Sequence, residues 1–94
     1  MDDLERLSMQ YGVPVLDLDE LEIEPAVLKL VSKALAEKYL ALPVSRAGRS
    51  LVVAVADPSN IEALAELRRT TGCTIEPCVA SAESVRDAIA RSYR

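Results

Sequence analysis

The sequence predicts an α+β fold in which helices pack on a small sheet of about three strands. Two apolar stretches, 40–46 and 50–57, flank the tight turn Ala47-Gly48-Arg49 and predict a β-hairpin. The stretch LVVAVADPSNIEAL (51–64) predicts a strand that ends at an Asp-Pro turn and a helix that starts just after it. CTIEPCVA (73–80) predicts a third strand, which Pro77 places at the sheet edge. The expected core is therefore a β-hairpin followed by β-α-β, with a last helix packed on the sheet.

An N-terminal helix and an extended arm precede this core. Leu4, Leu7 and Tyr11 share one helical face, and Gly12 ends the helix. Pro14 lacks an N–H, so we expect residues 13–24 to form an extended arm or at most an edge strand. The alternative is a fourth strand over 13–19, which gives a split β-α-β sandwich.

Alternation along this arm predicts which side chains face the core. It places four apolar side chains on one side, namely Val13, Val15, Leu21 and Ile23. Asp17 and Asp19 are expected to be exposed. Glu20 and Glu22 beside them favour plain solvation of this pair over a cation site or a pair of catalytic carboxylates.

The next helix begins at Pro25, because proline is favoured at the first helical position. Five side chains line its predicted inner face: Val27, Leu30, Val31, Ala34 and Leu35. Ser32 is a good N-cap residue and can restart the helix there, dividing it into two short pieces.

The sequence also predicts the capping residues of the helix after the Asp-Pro turn and of the last helix. Asn60 or Ser59 caps the first, Gly72 ends it, and three side chains are predicted to point inward, Ile61, Leu64 and Leu67. Ser81 caps the last helix, whose inner stripe is Val85, Ala88, Ile89 and Ser92.

The corner from Asp57 to Asn60 is interpreted as a structural turn and cap. Pro58 disfavours helical backbone at Asp57, and the Asp57 carboxylate can accept hydrogen bonds from the turn that follows. A helix N-terminus can hold an anion, but Asp57 would repel one and the segment has no Lys or Arg. We therefore expect Asp57, Pro58, Asn60 and Gly72 to serve the fold rather than a ligand.

Length and composition predict a single domain of 94 residues, divided into the N-terminal helix and acidic arm (1–24) and the α/β core (25–94). The chain has no apolar run long enough for a membrane span and no signal-peptide pattern, so we expect a cytoplasmic location without membrane insertion. Cys73 and Cys78 lie about 16 Å apart if their segment is extended, too far for a disulfide. We expect at least one of them to face the core as a small apolar residue.

Charge is distributed unevenly along the chain. Residues 1–24 contain eight acids and Arg6, a net charge of −7, whereas residues 25–94 contain ten bases and seven acids, a net charge of +3. The overall charge of −4 argues against a nucleic-acid partner. The acidic arm fits docking onto a basic protein surface, and it equally fits a solvated face that keeps the domain soluble.

Several kinds of catalysis are excluded by missing residues. The chain has no histidine, which removes the commonest general base and the Ser-His and Cys-His nucleophile pairs. It has neither a Walker phosphate loop nor a G-x-G-x-x-G motif. Two cysteines without histidine also make a poor zinc site. We expect no enzymatic activity and no cofactor in this chain.

In order, the motifs YGVPVLDLD, ALPV, LVVAVADPSN, ELRRTTG and IEPCVAS resemble the N-terminal region of type II secretion and type IV pilus assembly ATPases, the GspE/PilB family. The resemblance covers residues 7–94. It implies an accessory module that precedes a hexameric motor and contacts inner-membrane assembly components. The implied partners are the cytoplasmic domain of such a component and the motor domain of the parent protein, at the cytoplasmic side of the inner membrane.

Some family members, of the MshE type, also bind cyclic di-GMP through two helical blocks. The resemblance matches only the end of the second block, at Leu7 and Gln10, while Asp3 stands where an earlier Leu is expected. Arg6-Leu7-Ser8 echoes the head of a block but lacks its glycine, and Ser32 replaces a common proline. The alternative function is thus a cyclic di-GMP sensor whose site is incomplete here. Starting inside an expected helix favours an excised domain over a natural stand-alone protein.

The preferred function is a non-catalytic docking module. Its candidate docking residues are Asp17, Asp19, Glu20 and Glu22 in the arm and Arg68 and Arg69 in the helix after the Asp-Pro turn. Each group also fits a plain solvated face.

Overall fold

The computed structural model describes residues 3–18 and 22–93, with side chains from residue 5 onward. Within these residues the chain forms five helices and three strands. In order they are α1 (Asp3–Tyr11), α2 (Pro25–Leu28), α3 (Lys33–Tyr39), β1 (Ala41–Ala47), β2 (Ser50–Val55), α4 (Ile61–Thr71), β3 (Thr74–Val79) and α5 (Ala82–Ser92).

The three strands form one mixed sheet in the order β1-β2-β3. β1 and β2 pair antiparallel as a hairpin, whose turn contains Gly48 at a φ of 60°. β2 and β3 pair parallel, with α4 as the connection. The central strand β2 is the most apolar, and four of its six residues are buried, as expected for a strand covered on both faces. The predicted α+β class, hairpin and edge position of the third strand are confirmed.

The arm lies along the free edge of β3, but the predicted inward position of Val15 is wrong. Val15 is 45% exposed, whereas Leu18 is 2% exposed and belongs to the core. Val79 holds the arm with two backbone hydrogen bonds, to Pro14 O at 2.8 Å and from Leu16 N at 2.9 Å. In this register Leu16 is half-buried and Leu18 is buried, whereas Val15 and Asp17 face solvent, and Val13 is half-buried as predicted.

Only one isolated bridge, Val15 to Val79, joins the arm to the sheet in the described part of the chain. The fourth strand of the alternative fold is therefore reduced to a single bridge. Asp19 and Leu21 lie outside the described residues, and Ile23 is half-buried against the core.

Ser32 divides the second predicted helix as expected. It is the N-cap of α3, and its side chain accepts a hydrogen bond from Leu35 N at 3.1 Å. The break resets the helical phase, so Ala36 is buried while Ala34, predicted to face inward, is exposed. Leu40 ends α3 in the left-handed region at a φ of 48°.

The inner face of α4 differs from the prediction at its first residue. Leu67 and Ala63 are buried and Leu64 is half-buried, but Ile61 is 77% exposed. With about 100° of rotation per residue, Ile61 lies roughly 110° from the centre of that buried group. In α5 the predicted stripe is present: Val85, Ala88 and Ile89 are buried, and Ser92 is half-buried.

Side chains at the end of α5 form hydrogen bonds with two segments that are distant in sequence, the junction of α2 and α3 and the arm. The Tyr93 hydroxyl donates to Val31 O at 2.8 Å and is also 3.2 Å from Leu28 O, at the junction of α2 and α3. Burial raises the pKa of Tyr93 to about 12. Arg91 Nη2 donates to Leu18 O at 3.1 Å and so helps to hold the arm.

Both cysteines are free and buried. Cys78 Sγ donates to Val53 O at 3.5 Å, and desolvation by burial raises the pKa of this thiol to about 11. The prediction that they are unpaired apolar residues is confirmed. Across the described ranges, no helix combines the length and apolar character needed to span a bilayer.

Candidate docking surfaces

The corner before α4 has the geometry of a turn and a helix cap. Asp57 Oδ1 accepts hydrogen bonds from Ser59 N at 3.0 Å and from the Ser59 hydroxyl. Asn60 Oδ1 accepts from Ala63 N at 3.1 Å and is the N-cap of α4. Pro58 is buried, and Gly72 ends α4 with a φ of 71°. These polar atoms are therefore engaged within the fold.

The two residues of the partial ligand motif lie on α1. Leu7 is half-buried and Gln10 is exposed. α1 packs near β3, and the Ser8 side chain donates to Val13 O where the helix turns into the arm. Beside Gln10, Met9 is 70% exposed and Tyr11 is also exposed, which leaves apolar surface on this helix. The helical spacing predicted that Tyr11 shares a face with Leu7, and on that face Leu7 is half-buried while Tyr11 is exposed.

The described part of the acidic arm is exposed at Asp17, Glu22 and Glu24. Asp19 and Glu20 lie outside the described residues. Glu22 and Glu24 line a groove of about 400 Å³ between the arm, α2 and β1, and Arg46 lines the same groove. The arm thus borders a basic side chain of the hairpin.

Arg68 and Arg69 are exposed in the last turn of α4. Cations are stabilised in this position by the helix dipole. The structure brings them to the same end of the sheet as two exposed arginines of the hairpin that the sequence prediction missed, Arg46 and Arg49. We call these four residues, Arg46, Arg49, Arg68 and Arg69, the arginine end. The signal for this cluster is non-local, because it appears only when the hairpin turn and the C-terminus of α4 meet.

Ionisable groups elsewhere provide no obvious catalytic arrangement in the described ranges. These residues contain no group of three or more His, Cys, Asp or Glu side chains placed to hold a metal ion. The Tyr39 hydroxyl donates to Glu66 Oε2 and thereby links α3 to α4. This hydrogen bond is the main cause of a raised pKa of Tyr39.

Comparison with known proteins identifies relatives in pilus assembly. The MshEN domain model matches residues 11–94. The chain is 54% identical over 87 residues to the type IV pilus assembly ATPase PilB of Myxococcus xanthus, which is 93% of this chain and 15% of that protein. It is 31% identical over 75 residues to PilB of Acinetobacter baylyi, covering 80% of this chain and 13% of that protein.

Two solved structures share the fold. A structure of MshE with cdg superposes with a TM-score of 0.89 at 26% identity, covering 96% of this chain and 66% of that one. The N-terminal domain of XpsE superposes with a TM-score of 0.81 at 24% identity, covering 94% of this chain and 62% of that one.

The chain therefore spans about one-seventh of the length of the curated relatives it matches. The family match and the structural superposition on MshE each cover nearly all of the chain. The chain belongs to the MshEN domain family and is homologous to a segment of the type IV pilus assembly ATPases.

Proposed function

We propose that this chain is a non-catalytic interaction module that docks a pilus or secretion ATPase onto the cytoplasmic parts of inner-membrane assembly proteins. The observation that carries the proposal is the 54% identity to a type IV pilus assembly ATPase over 93% of this chain. Hydrolysis belongs to the motor of the parent protein, since the present sequence has neither a Walker loop nor a histidine. The module acts at the cytoplasmic side of the inner membrane and contacts the membrane through its partners.

Two charged surfaces are proposed to make the contact. The acidic arm offers Asp17, Asp19, Glu20 and Glu22, and α4 offers Arg68 and Arg69. Charges at the rim of an interface mainly govern association rate and partner choice. Opposite charges on two neighbouring surfaces would fix the orientation of a partner that carries the complementary pattern.

The experiment measures binding of this chain to purified cytoplasmic domains of the inner-membrane pilus assembly proteins from the same bacterium, by calorimetry. Reversal of the arm charges, Asp17→Lys with Glu22→Lys, is expected to weaken binding by about tenfold, because each lost pair and each new repulsion changes affinity by up to about 1 kcal/mol. Glu62→Lys with Glu83→Lys is the matched control, as both residues are exposed in the first turns of α4 and α5 and the change in net charge is the same. Absence of binding to every such domain would contradict the docking function.

A second candidate function, cyclic di-GMP binding, is supported by the likeness to MshE with cdg. Leu7 and Gln10 of α1 would be this chain's contribution to such a site, with Arg6 beside them. A ¹⁵N-HSQC titration with cyclic di-GMP tests it. Saturable shifts around Leu7 and Gln10, lost in Gln10→Ala, would support the sensor; an unchanged spectrum at high ligand excess would remove it for this chain.

A further inference from the structure

The arginine end is assembled by the topology of the sheet. β1 finishes and both β2 and β3 begin at this end, so the hairpin turn lies beside the start of β3. Thr74 N donates to Arg49 O at 2.7 Å and fixes that contact. α4 delivers Arg68 and Arg69 to the same place, because its last residue, Thr71, is only three residues before β3.

These four arginines have no carboxylate partner among the residues that the structure describes. The one ion pair found there joins Lys33 to Glu37, at 3.8 Å on α3. Glu66, the acidic residue nearest to Arg68 and Arg69 along α4, accepts a hydrogen bond from the Tyr39 hydroxyl. Arg46 uses its Nε to donate to Gly48 O at 2.9 Å, which leaves its terminal nitrogens for other acceptors.

Acidic residues do border this end and limit the size of the basic surface. Glu22 and Glu24 share a groove with Arg46, and Glu76 is exposed on β3 opposite Val52. Three arginines, Arg49, Arg68 and Arg69, lie outside that groove. The basic surface therefore has carboxylates at its margin.

The far end of the sheet has more acidic than basic residues next to its strand ends, with Lys38 before β1 as a base there. Asp57, Glu62 and Glu83 follow the C-terminal ends of β2 and β3, and the chain has no Lys or Arg between residues 50 and 67. A six-residue strand such as β2 is about 20 Å long, more than twice the Debye length of about 8 Å in physiological salt. The acidic end therefore does not neutralise the arginine end.

We infer that the arginine end binds a short acidic segment, rich in Asp and Glu, of a partner protein. This inference rests on the proposed docking function and gives the chemistry of one contact. Guanidinium groups bind carboxylates through paired hydrogen bonds, and several arginines with free donors can bind several carboxylates along one segment. A membrane or a nucleic acid would also meet the acidic arm, whose net charge with α1 is −7, and would be repelled over a wide area.

The test uses fluorescence anisotropy of a labelled oligoglutamate peptide with the whole chain. Saturable binding that weakens with added salt is expected. The triple variant Arg49→Glu, Arg68→Glu, Arg69→Glu is expected to weaken it by about tenfold or more, because each exposed charge pair contributes up to about 1 kcal/mol. The triple variant Lys29→Glu, Lys38→Glu, Arg86→Glu is the matched control, because it changes the net charge equally at three exposed residues outside this cluster, and it should weaken binding less than threefold.

Charge reversal in the last turn of α4 also opposes the helix dipole, so a second triple variant to Gln is measured with circular dichroism as the check on folding. A folded Gln variant that still binds like the wild type would overturn the inference. So would equal losses in the triple Arg→Glu variant and in the control triple variant, which would indicate a response to net charge alone. Tighter binding to phosphatidylglycerol vesicles or to a single-stranded oligonucleotide than to oligoglutamate would replace the acidic segment with that ligand.

The outcomes separate this inference from the docking function. If inner-membrane assembly domains bind the chain but oligoglutamate does not, docking stands and the acidic-segment inference falls. If oligoglutamate binds through the arginines but no assembly domain does, the chemistry of the surface stands and the proposed function falls.

Discussion

Asn60 is the N-cap of α4 and makes one side-chain hydrogen bond there. Removing that hydrogen bond measures how much the cap contributes to the free energy of unfolding. Asn60 Oδ1 accepts from Ala63 N at 3.1 Å. Asn60→Ala leaves that N–H without its acceptor, so the free energy of unfolding in urea should fall by about 1 kcal/mol. Asn60→Asp keeps an acceptor and adds charge at the positive end of the helix, and should restore most of the loss. Equal stabilities of the Ala and Asp variants would contradict the capping role.

Tyr93 supplies a second test at the scale of one residue. Its hydroxyl donates to the Val31 carbonyl, and Tyr93→Phe should lower the free energy of unfolding by about 1 kcal/mol at neutral pH. Tyr11→Phe removes the hydroxyl of an exposed tyrosine and should change the free energy of unfolding by less than about 0.5 kcal/mol. Equal changes in the two variants would argue against the hydrogen bond.

The raised pKa of Tyr93 also predicts a pH dependence. Its value is about 12 in the folded chain against 10.0 ordinarily, so between these values the unfolded chain loses a proton that the folded chain keeps. Stability is then fully present below pH 10.0 and falls as the pH rises towards 12. Urea unfolding across this range should show a smaller decline for Tyr93→Phe than for the wild type. Identical slopes would contradict the burial of this hydroxyl.

Local signals in the sequence predicted the caps correctly, because a cap depends on a few neighbouring residues. Ser32, Asn60 and Ser81 each accept a hydrogen bond from a backbone N–H three residues later. Gly72 adopts the left-handed conformation that ends α4. Such contacts follow from residue type and spacing alone.

At the scale of elements, the arm tests whether its register is essential to the core. Leu18→Ala removes a side chain that is 2% exposed and should lower the free energy of unfolding by about 2–4 kcal/mol. Val15→Ala, at a position that is 45% exposed on the same arm, should cost less than about 1 kcal/mol. Thermal or urea unfolding measures both. A larger loss for Val15→Ala than for Leu18→Ala would restore the side predicted from the sequence.

The inward-facing sides of the arm and of α4 could not be predicted because they depend on contacts with other elements. Alternation in the arm is compatible with either side, and the choice is made by the two hydrogen bonds to Val79. Ile61 has an apolar side chain at a plausible helical spacing, yet Ala63 faces the core in its place. The hairpin and the strand–turn–helix were predictable because turn residues mark them directly.

At the scale of the whole molecule, four arginines lie at one end of the sheet and several acidic residues lie at the other. The sequence alone indicated an acidic N-terminal part and a mildly basic remainder. It did not indicate that Arg46 and Arg49 lie at the same end of the sheet as Arg68 and Arg69, because the two pairs are about 20 residues apart and come to one end only through the parallel pairing of β2 and β3. The sequence therefore singled out Arg68 and Arg69 but not the surface that they share with the hairpin.

The central claim is that this MshEN domain is a docking module. The most direct measurement is a ¹⁵N-HSQC titration of the chain with the purified cytoplasmic domains of the inner-membrane pilus assembly proteins. The account predicts saturable shifts with one of them, confined to the acidic arm and the arginine end, and weaker binding in the triple Arg→Gln variant. Unchanged spectra with every domain, together with saturable shifts on α1 when cyclic di-GMP is added, would contradict docking and favour the sensor.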